Sequence, residues 1–194
     1  MRVAAALLVL TIGTLPACRA SGPSAGARQE ERPAFGGDFT LTNQDNQPFR
    51  LQDVRGRPTI LFFGYTSCPD MCPVTMSRIA GALDRLGTPG HEVVTLFVSV
   101  DPKRDTPAVL KEYVQSFSVP VIGLTGTAEQ VGRVAAAYHA SFELVPTGTT
   151  NYLVNHTSAV FLIDRRGQLR QFFKYDEKPD VLASALRTLL DEKP

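Results

Sequence analysis

The stretch Gly64-Tyr65-Thr66-Ser67-Cys68-Pro69-Asp70-Met71-Cys72-Pro73 constrains this chain more than any other. A run that reads as a buried strand, Pro58 to Phe63 (PTILFF), ends directly before it, and an amphipathic helical pattern follows. Two thiols therefore fall at a strand-to-helix junction, Cys68 near the helix N-terminus and Cys72 one turn further on. Residues i and i+4 share a helix face, with Cβ atoms roughly 5–6 Å apart. Two sulfurs bound to one metal at roughly 2.3 Å each tolerate that spacing. A disulfide wants Cβ atoms about 3.5–4.5 Å apart and would need local adjustment. The pair reads as a metal clamp that can also oxidise. A purely structural Cys68–Cys72 bond would close so short a loop that chain entropy contributes only about 2 kcal/mol, before helix strain is subtracted.

The rest of the chain supplies a sheet for this junction. Asp38 to Thr42 and Pro48 to Leu51 flank Asn43-Gln44-Asp45-Asn46-Gln47, a β-hairpin pattern. After the strand Pro58–Phe63, a helix is expected from about Pro69 to Leu86, with Val74, Ile79, Leu83 and Leu86 as its apolar stripe. Gly87-Thr88-Pro89-Gly90 stops it. Val93 to Val100 is nearly all apolar, as in a parallel strand covered on both faces. Thr106-Pro107 opens a helix with Leu110, Tyr113, Val114 and Phe117 facing in. Val121 to Leu124 is a short strand, and Thr127 with Gln130 forms a capping box for a helix ending near His139. Phe142 to Val145 pairs with Tyr152 to Val154 as a further hairpin. Ala159 to Ile163 and Leu169 to Phe173 surround the turn Asp164-Arg165-Arg166-Gly167, and Pro179 to Leu190 closes as an amphipathic helix. This order is that of an α/β layered domain, compatible with a thioredoxin-like sheet carrying extra segments.

Ligands of open α/β sheets gather at the carboxyl ends of parallel strands. Cys68 and Cys72 follow one such end, and Asp101 follows the next. His156 precedes the strand Ala159–Ile163; if that strand runs antiparallel, His156 reaches the same edge. Two thiols and one imidazole would then converge. Thiolates are soft and select copper(I), imidazole suits either copper state, and three ligands leave an open position for passing the ion on. The helix N-terminus should favour thiolate at Cys68, and oxidation would remove both sulfurs from metal binding. Taken alone, His156 reads equally well as a structural or surface histidine. His91, in a Pro-Gly turn, reads as solvated, and His139 as a helix-end contact with terminal carbonyls. Met71 and Met76 read as packing or surface residues, each a thioether beside or near a thiol. Asp101 reads as a turn residue and Lys103-Arg104-Asp105 as a solvated charged corner.

Met1-Arg2 followed by apolar Val3 to Leu15 has the anatomy of an export signal, shorter than the roughly 20 residues that span a bilayer. Leu15-Pro16-Ala17-Cys18 resembles a bacterial lipobox, which makes Cys18 the lipidation site; cleavage after Ala20 or a retained anchor are the alternatives. If lipid takes Cys18, the three cysteines leave one pair in an oxidising compartment. The expected divisions are 1–17 as signal peptide, 18–35 as lipidated Cys18 and flexible tether, and 36–194 as the globular domain. Arg19 to Pro33, rich in Gly, Ser, Pro and charge, gives a reach on the order of 20 Å from the membrane. With 20 Lys and Arg against 19 Asp and Glu, nothing points to nucleic acid.

From about Phe39 to Leu190 the chain resembles the Sco/SenC family of copper chaperones. The motifs are GYTSCPDMCP (Gly64–Pro73), SVDPKRDTP (Ser99–Pro107), GLTGT (Gly123–Thr127) and NHTSAVFLID (Asn155–Asp164). The resemblance implies a thioredoxin-like fold: a central mixed sheet flanked by helices, an N-terminal β-hairpin, and an inserted hairpin before the last two strands. It also implies copper held by Cys68, Cys72 and His156, delivered to or maintaining the dinuclear copper centre of cytochrome c oxidase. Implied partners are the oxidase's copper-bearing subunit, other copper chaperones or a thiol reductant, and the membrane through the lipid. The alternative is a thiol–disulfide oxidoreductase that reduces the oxidase's copper-site cysteines through Cys68 and Cys72. Family members often carry Asp before the histidine; here it is Asn155, whose amide can hydrogen-bond but brings no charge. Thioredoxin oxidoreductases differ more: they have Trp-Cys-x-x-Cys and a cis-proline, whereas this chain lacks Trp and reads His156-Thr157-Ser158 at that place.

Overall fold

A computed structural model describes residues 35–149 and 151–192. The signal segment, Cys18 and the tether up to residue 34 lie outside the described residues.

Among the described residues, nine strands and four α-helices follow one another in the expected order. They are β1 (Thr40–Asn43), β2 (Pro48–Arg50), β3 (Thr59–Gly64), α1 (Met71–Leu86), β4 (Val94–Ser99), α2 (Pro107–Val114), β5 (Ile122–Thr125), α3 (Ala128–Ala137), β6 (Phe142–Pro146), β7 (Tyr152–His156), β8 (Ala159–Ile163), β9 (Leu169–Lys174) and α4 (Pro179–Asp191). Seven strands form one sheet in the order β2-β1-β5-β4-β3-β8-β9; β6 and β7 form a separate two-stranded sheet. β3, β4 and β5 are parallel to their neighbours within that group, and β8 runs antiparallel to β3. The start of β8 therefore lies beside the end of β3, with Phe62 opposite Val160. This is the thioredoxin-like mixed sheet expected from the order of elements.

Every residue of β3 and β4 is buried, because helices cover both faces. Strand alternation divides their side chains between two cores. Ile60, Phe62 and Phe97 pack with residues of α1, α2 and α4 such as Ile79, Leu110 and Leu186. Leu61, Phe63, Leu96 and Val98 pack with Val131, Val134 and Tyr138 from the α3 side.

The caps follow the local chemistry. Thr106 Oγ1 accepts from the Val109 N–H at the start of α2, and Thr127 with Gln130 closes a reciprocal box at α3. Gly87, at φ +63°, ends α1 in a conformation that costs other residues more. His139 ends the α3 segment at φ +51°; its backbone N–H donates to Ala136 O and its ring rests 4.6 Å from that of Phe35.

Two local expectations are corrected. α1 begins at Met71 rather than Pro69, because Asp70 (φ −141°, ψ −66°) is not helical and the Cys68 N–H turns back to Tyr65 O at 3.1 Å. Pro73 still fits the first turn, where its missing N–H costs nothing. Val74 faces outward at 36% exposure, and Cys72, Thr75 and Met76 fill the buried side of that turn instead.

Candidate metal centre

Three chain segments end at the same rim of the sheet. β3 leads into the turn Tyr65–Cys68, α1 carries Cys72 in its first turn, and β7 ends at His156. The two cysteines therefore do not share a helix face: Cys68 precedes the helix, and the Cys72 N–H points at its sulfur, with N···Sγ 3.4 Å. That arrangement gives the open N-terminal amides of α1 a sulfur acceptor, which the Asp70 side chain does not provide.

His156 arrives from the opposite side. Its Nε2 lies 3.7 Å from Cys72 Sγ, and the donor atoms of Cys68, Cys72 and His156 all fall within 4.8 Å of one another. Two donors at ordinary metal–sulfur and metal–nitrogen lengths in a trigonal arrangement stand about 3.8 Å apart, so one ion fits between them. His156 Nδ1 faces Thr157 O at 3.1 Å. A carbonyl only accepts, so Nδ1 donates to it, and Nε2 is the ring nitrogen that faces the sulfurs. The residue that orients the ring is thus Thr157. Asn155 is exposed, at the register position opposite Glu143, and lines the cleft that leads to His156.

The thiols are free and unequal: Cys72 is buried and Cys68 half-buried. The hydrogen bond from Cys72 pulls the Cys68 thiol well below its usual range, assisted by His156 and the amides of Cys72 and Asp70 and opposed by burial. The same bond, with burial, pushes Cys72 up. Between the two thiols the proton is favoured on Cys72 and the negative charge on Cys68.

Tyr65, 3% exposed, sets its ring edge-on to His156 with centroids 5.7 Å apart, and burial raises its hydroxyl pKa. Gly64 is required by close approach: a Cβ there would lie 2.8 Å from Cys72 Sγ and 2.7 Å from the Phe97 ring. An open cleft of about 330 Å³ leads to Cys68 and His156 between Met71 on one side and Val145 and Leu153 on the other. Met71 is half-buried in this wall, while Met76 is core.

The charged corner after β4 is solvated only at Lys103; Arg104 is half-buried and Asp105 buried. Asp105, 0% exposed, accepts from the Thr66 N–H at 2.9 Å, the Thr66 hydroxyl at 2.6 Å and the Ser99 hydroxyl at 2.6 Å. Asp101 is also buried; it is paired with Arg104 and accepts from the Tyr152 hydroxyl at 2.8 Å. Sequence reasoning missed this network because charged residues in a turn read as water-facing. The readable signal was the pair of tyrosines, Tyr65 and Tyr152, each beside a donor segment.

The chemistry of the donor set is two soft sulfurs and one imidazole, the combination that suits copper. The cluster holds three His, Cys, Asp or Glu donors among the described residues, one short of the four that a structural zinc site uses.

The chain matches the SCO1/SenC family over residues 27–191. It is 37% identical over 175 residues to Protein SenC of Rhodobacter capsulatus, covering 90% of this chain and 76% of that protein. Bradyrhizobium japonicum ScoI with copper bound superposes with a TM-score of 0.74 at 36% identity, covering 80% of this chain and 99% of that one. Arabidopsis thaliana ScoI with copper bound gives 0.76 at 34% identity, covering 81% and 98%. With the mixed sheet and the Cys-Cys-His cluster in the same molecule, these matches place the chain in the SCO1/SenC family.

Proposed function

We propose that the chain is a copper metallochaperone. It binds copper through Cys68, Cys72 and His156 and delivers it to, or maintains, the dinuclear copper centre of cytochrome c oxidase. The observation that carries this reading is the convergence of the three donors within 4.8 Å at the foot of an open cleft. Two thiolates and an imidazole favour copper(I) and tolerate copper(II), so the site suits a cargo that arrives and leaves. Cys68, already anionic, is the first sulfur to engage the ion; Cys72 loses its proton on binding, which couples affinity to pH. Thr157 holds the imidazole tautomer that presents Nε2. Oxidation of the two copper-bound thiolates to a disulfide by an external disulfide, which takes the two electrons and is reduced to two thiols, removes both sulfurs and releases the cargo.

The inequality of the thiols also favours a second reading, thiol–disulfide exchange with the oxidase's copper-site cysteines. A low-pKa, half-exposed Cys68 attacks a target disulfide, and Cys72 resolves the mixed disulfide. The domain is carried outside the cytoplasmic membrane on a lipid at Cys18, with residues 19–33 as the tether.

Titration of the reduced protein with copper(I) tests the first reading. Wild type binds one equivalent; Cys68→Ser, Cys72→Ser and His156→Ala each weaken binding, the cysteine variants most. Unchanged affinity in His156→Ala would remove the imidazole from the site. Disulfide reduction by that variant at the wild-type rate, without copper, supports the exchange activity.

A further inference from the structure

The imidazole donor is carried by β7, and the β6–β7 sheet shares no strand pairing with the seven-stranded sheet among the described residues. The β8–β3 ladder, three residues on, brings the His156 end of β7 to the right edge, but β7 itself has no ladder to that sheet. Side chains therefore settle how the ring lies over the thiols, and a dense set of them lies at the Tyr152 end of β7. The Arg104 guanidinium lies 3.8 Å over the Tyr152 ring, donates from Nη1 to Tyr152 O at 3.0 Å, and pairs with buried Asp101. Asp101 accepts from the Tyr152 hydroxyl at 2.8 Å, and its N–H is held by Ser99 Oγ at 3.0 Å, at the end of β4. The other side of Arg104 meets the Tyr65 ring at 5.7 Å, the same ring that stands edge-on to His156. Next along the loop, Asp105 holds Thr66 in the turn that presents Cys68.

We propose that Arg104 is the positioning residue of the metal site, a clasp that fastens the His156-bearing hairpin to the thiol-bearing edge of the sheet. It acts on His156 along two routes: through β7, by way of Tyr152, and through the face of Tyr65. A planar, forked guanidinium is needed because it must stack, pair with a carboxylate and donate to a carbonyl at once; a lysine does only part of this. Arg104 touches no metal donor, and its effect on copper passes through the imidazole.

The inference rests on the copper-binding reading, and the experiment separates the two. Copper(I) affinity of the reduced protein is measured by chelator competition for wild type, Arg104→Lys, Tyr152→Phe, His156→Ala and Arg104→Lys/His156→Ala. Imidazole coupling in the copper(II) electron paramagnetic resonance spectrum is recorded for the first three. Arg104→Lys keeps a cation beside Asp101 and is expected to weaken binding about 10–100-fold, the range for residues behind a metal ligand, with weakened imidazole coupling. In the His156→Ala background the same substitution is expected to cost nothing. Tyr152→Phe, which loses only the hydroxyl, is expected to weaken binding a few-fold, and it decides the matter if Arg104→Lys does not fold. Equal losses from Arg104→Lys with and without His156, or unchanged affinity and spectra in both clasp variants, overturn the clasp. If wild type and His156→Ala bind copper equally, the three-donor reading fails, and the clasp with it.

Discussion

Two regions of this molecule meet at one site, and they are built on different principles. β3 and β4 are buried along their whole length between two layers of helices, so packing fixes the ends that present Cys68 and Cys72. β6 has no buried residue and β7 has one, Val154, yet this hairpin brings the third donor. Burial holds the first region throughout, whereas the second reaches the core only through Val154, Phe142 and Tyr152 and relies otherwise on a few polar and aromatic contacts. A metal site assembled this way has a stiff dithiol half and an imidazole half whose distance from the thiols can vary. Such a division suits a site that must both capture an ion and give it up.

The largest effect expected from this division concerns thiol reactivity. The hydrogen bond from Cys72 is the main cause of the depressed Cys68 pKa, and His156 is a lesser one. An ordinary thiol loses reactivity tenfold per unit as pH falls below about 8.5, because only the thiolate attacks. A Cys68 pKa held below that range keeps alkylation nearly constant from pH 8 to pH 6, an interval over which an unperturbed thiol slows on the order of a hundredfold. The sign follows: lowering the pH does not protect Cys68 until its own depressed pKa is passed. Iodoacetamide kinetics with peptide mapping should show Cys72→Ser restoring ordinary pH dependence more fully than His156→Ala. The reverse order would place the activating group on the hairpin.

Leu186 tests the stiff region alone. It is fully buried in α4, in the same core as Ile79 and Phe62. Leu186→Ala should cost about 2–5 kcal/mol, read by urea unfolding, while copper stoichiometry at 25 °C stays at one. Loss of copper binding by a still folded Leu186→Ala protein would mean that the dithiol geometry is less independent of the far helix than the packing implies.

Gly64→Ala sharpens the comparison from inside the site. The added methyl has no room between Cys72 Sγ and the Phe97 ring, so it should cost about 1–3 kcal/mol by overpacking and move the Cys72 sulfur as well. Stability and copper affinity should fall together here, unlike at Leu186. Retention of wild-type affinity in Gly64→Ala would show that the hairpin follows the displaced thiol.

Much of this architecture was legible before any coordinates, for a physical reason. Strand and helix periods are written in the apolar residues, so Pro58–Phe63, Val93–Val100 and the capped helices at Thr106 and Thr127 could be located by pattern alone. The meeting of His156 with the thiols needed one assumption about topology, that Ala159–Ile163 runs antiparallel, and β8 does pair antiparallel with β3. What pattern could not provide was the fate of charge. Arg104 and Asp105 sit in a polar turn, and nothing local shows that Thr66, Ser99 and Tyr152 come from elsewhere in the chain to satisfy that turn. Helix spacing also misleads at the motif itself: a helix begun at Pro69 gives Asp70 a conformation it does not adopt. Asn155 stands out by its place beside His156 and lines the cleft, but the ring nitrogen meets the Thr157 carbonyl, so it is Thr157 that orients the ring.

The smallest expected effect falls on the hairpin's outer surface. Leu144 in β6 is 52% exposed, so replacing it with threonine removes little buried area and keeps a residue suited to a strand. Leu144→Thr should change stability by less than about 0.5 kcal/mol, which for a domain of this size moves the unfolding midpoint by no more than about 2 °C. Copper affinity should also be unchanged, because Leu144 is not among the residues of the cleft that leads to Cys68 and His156. The contrast with Leu186 is the point of the measurement: the same residue type is expected to differ several-fold in cost between the two regions. A loss at Leu144 comparable to that at Leu186 would mean that the hairpin is packed on its outer face as well as at Val154, and the view of it as a fastened arm would then be wrong.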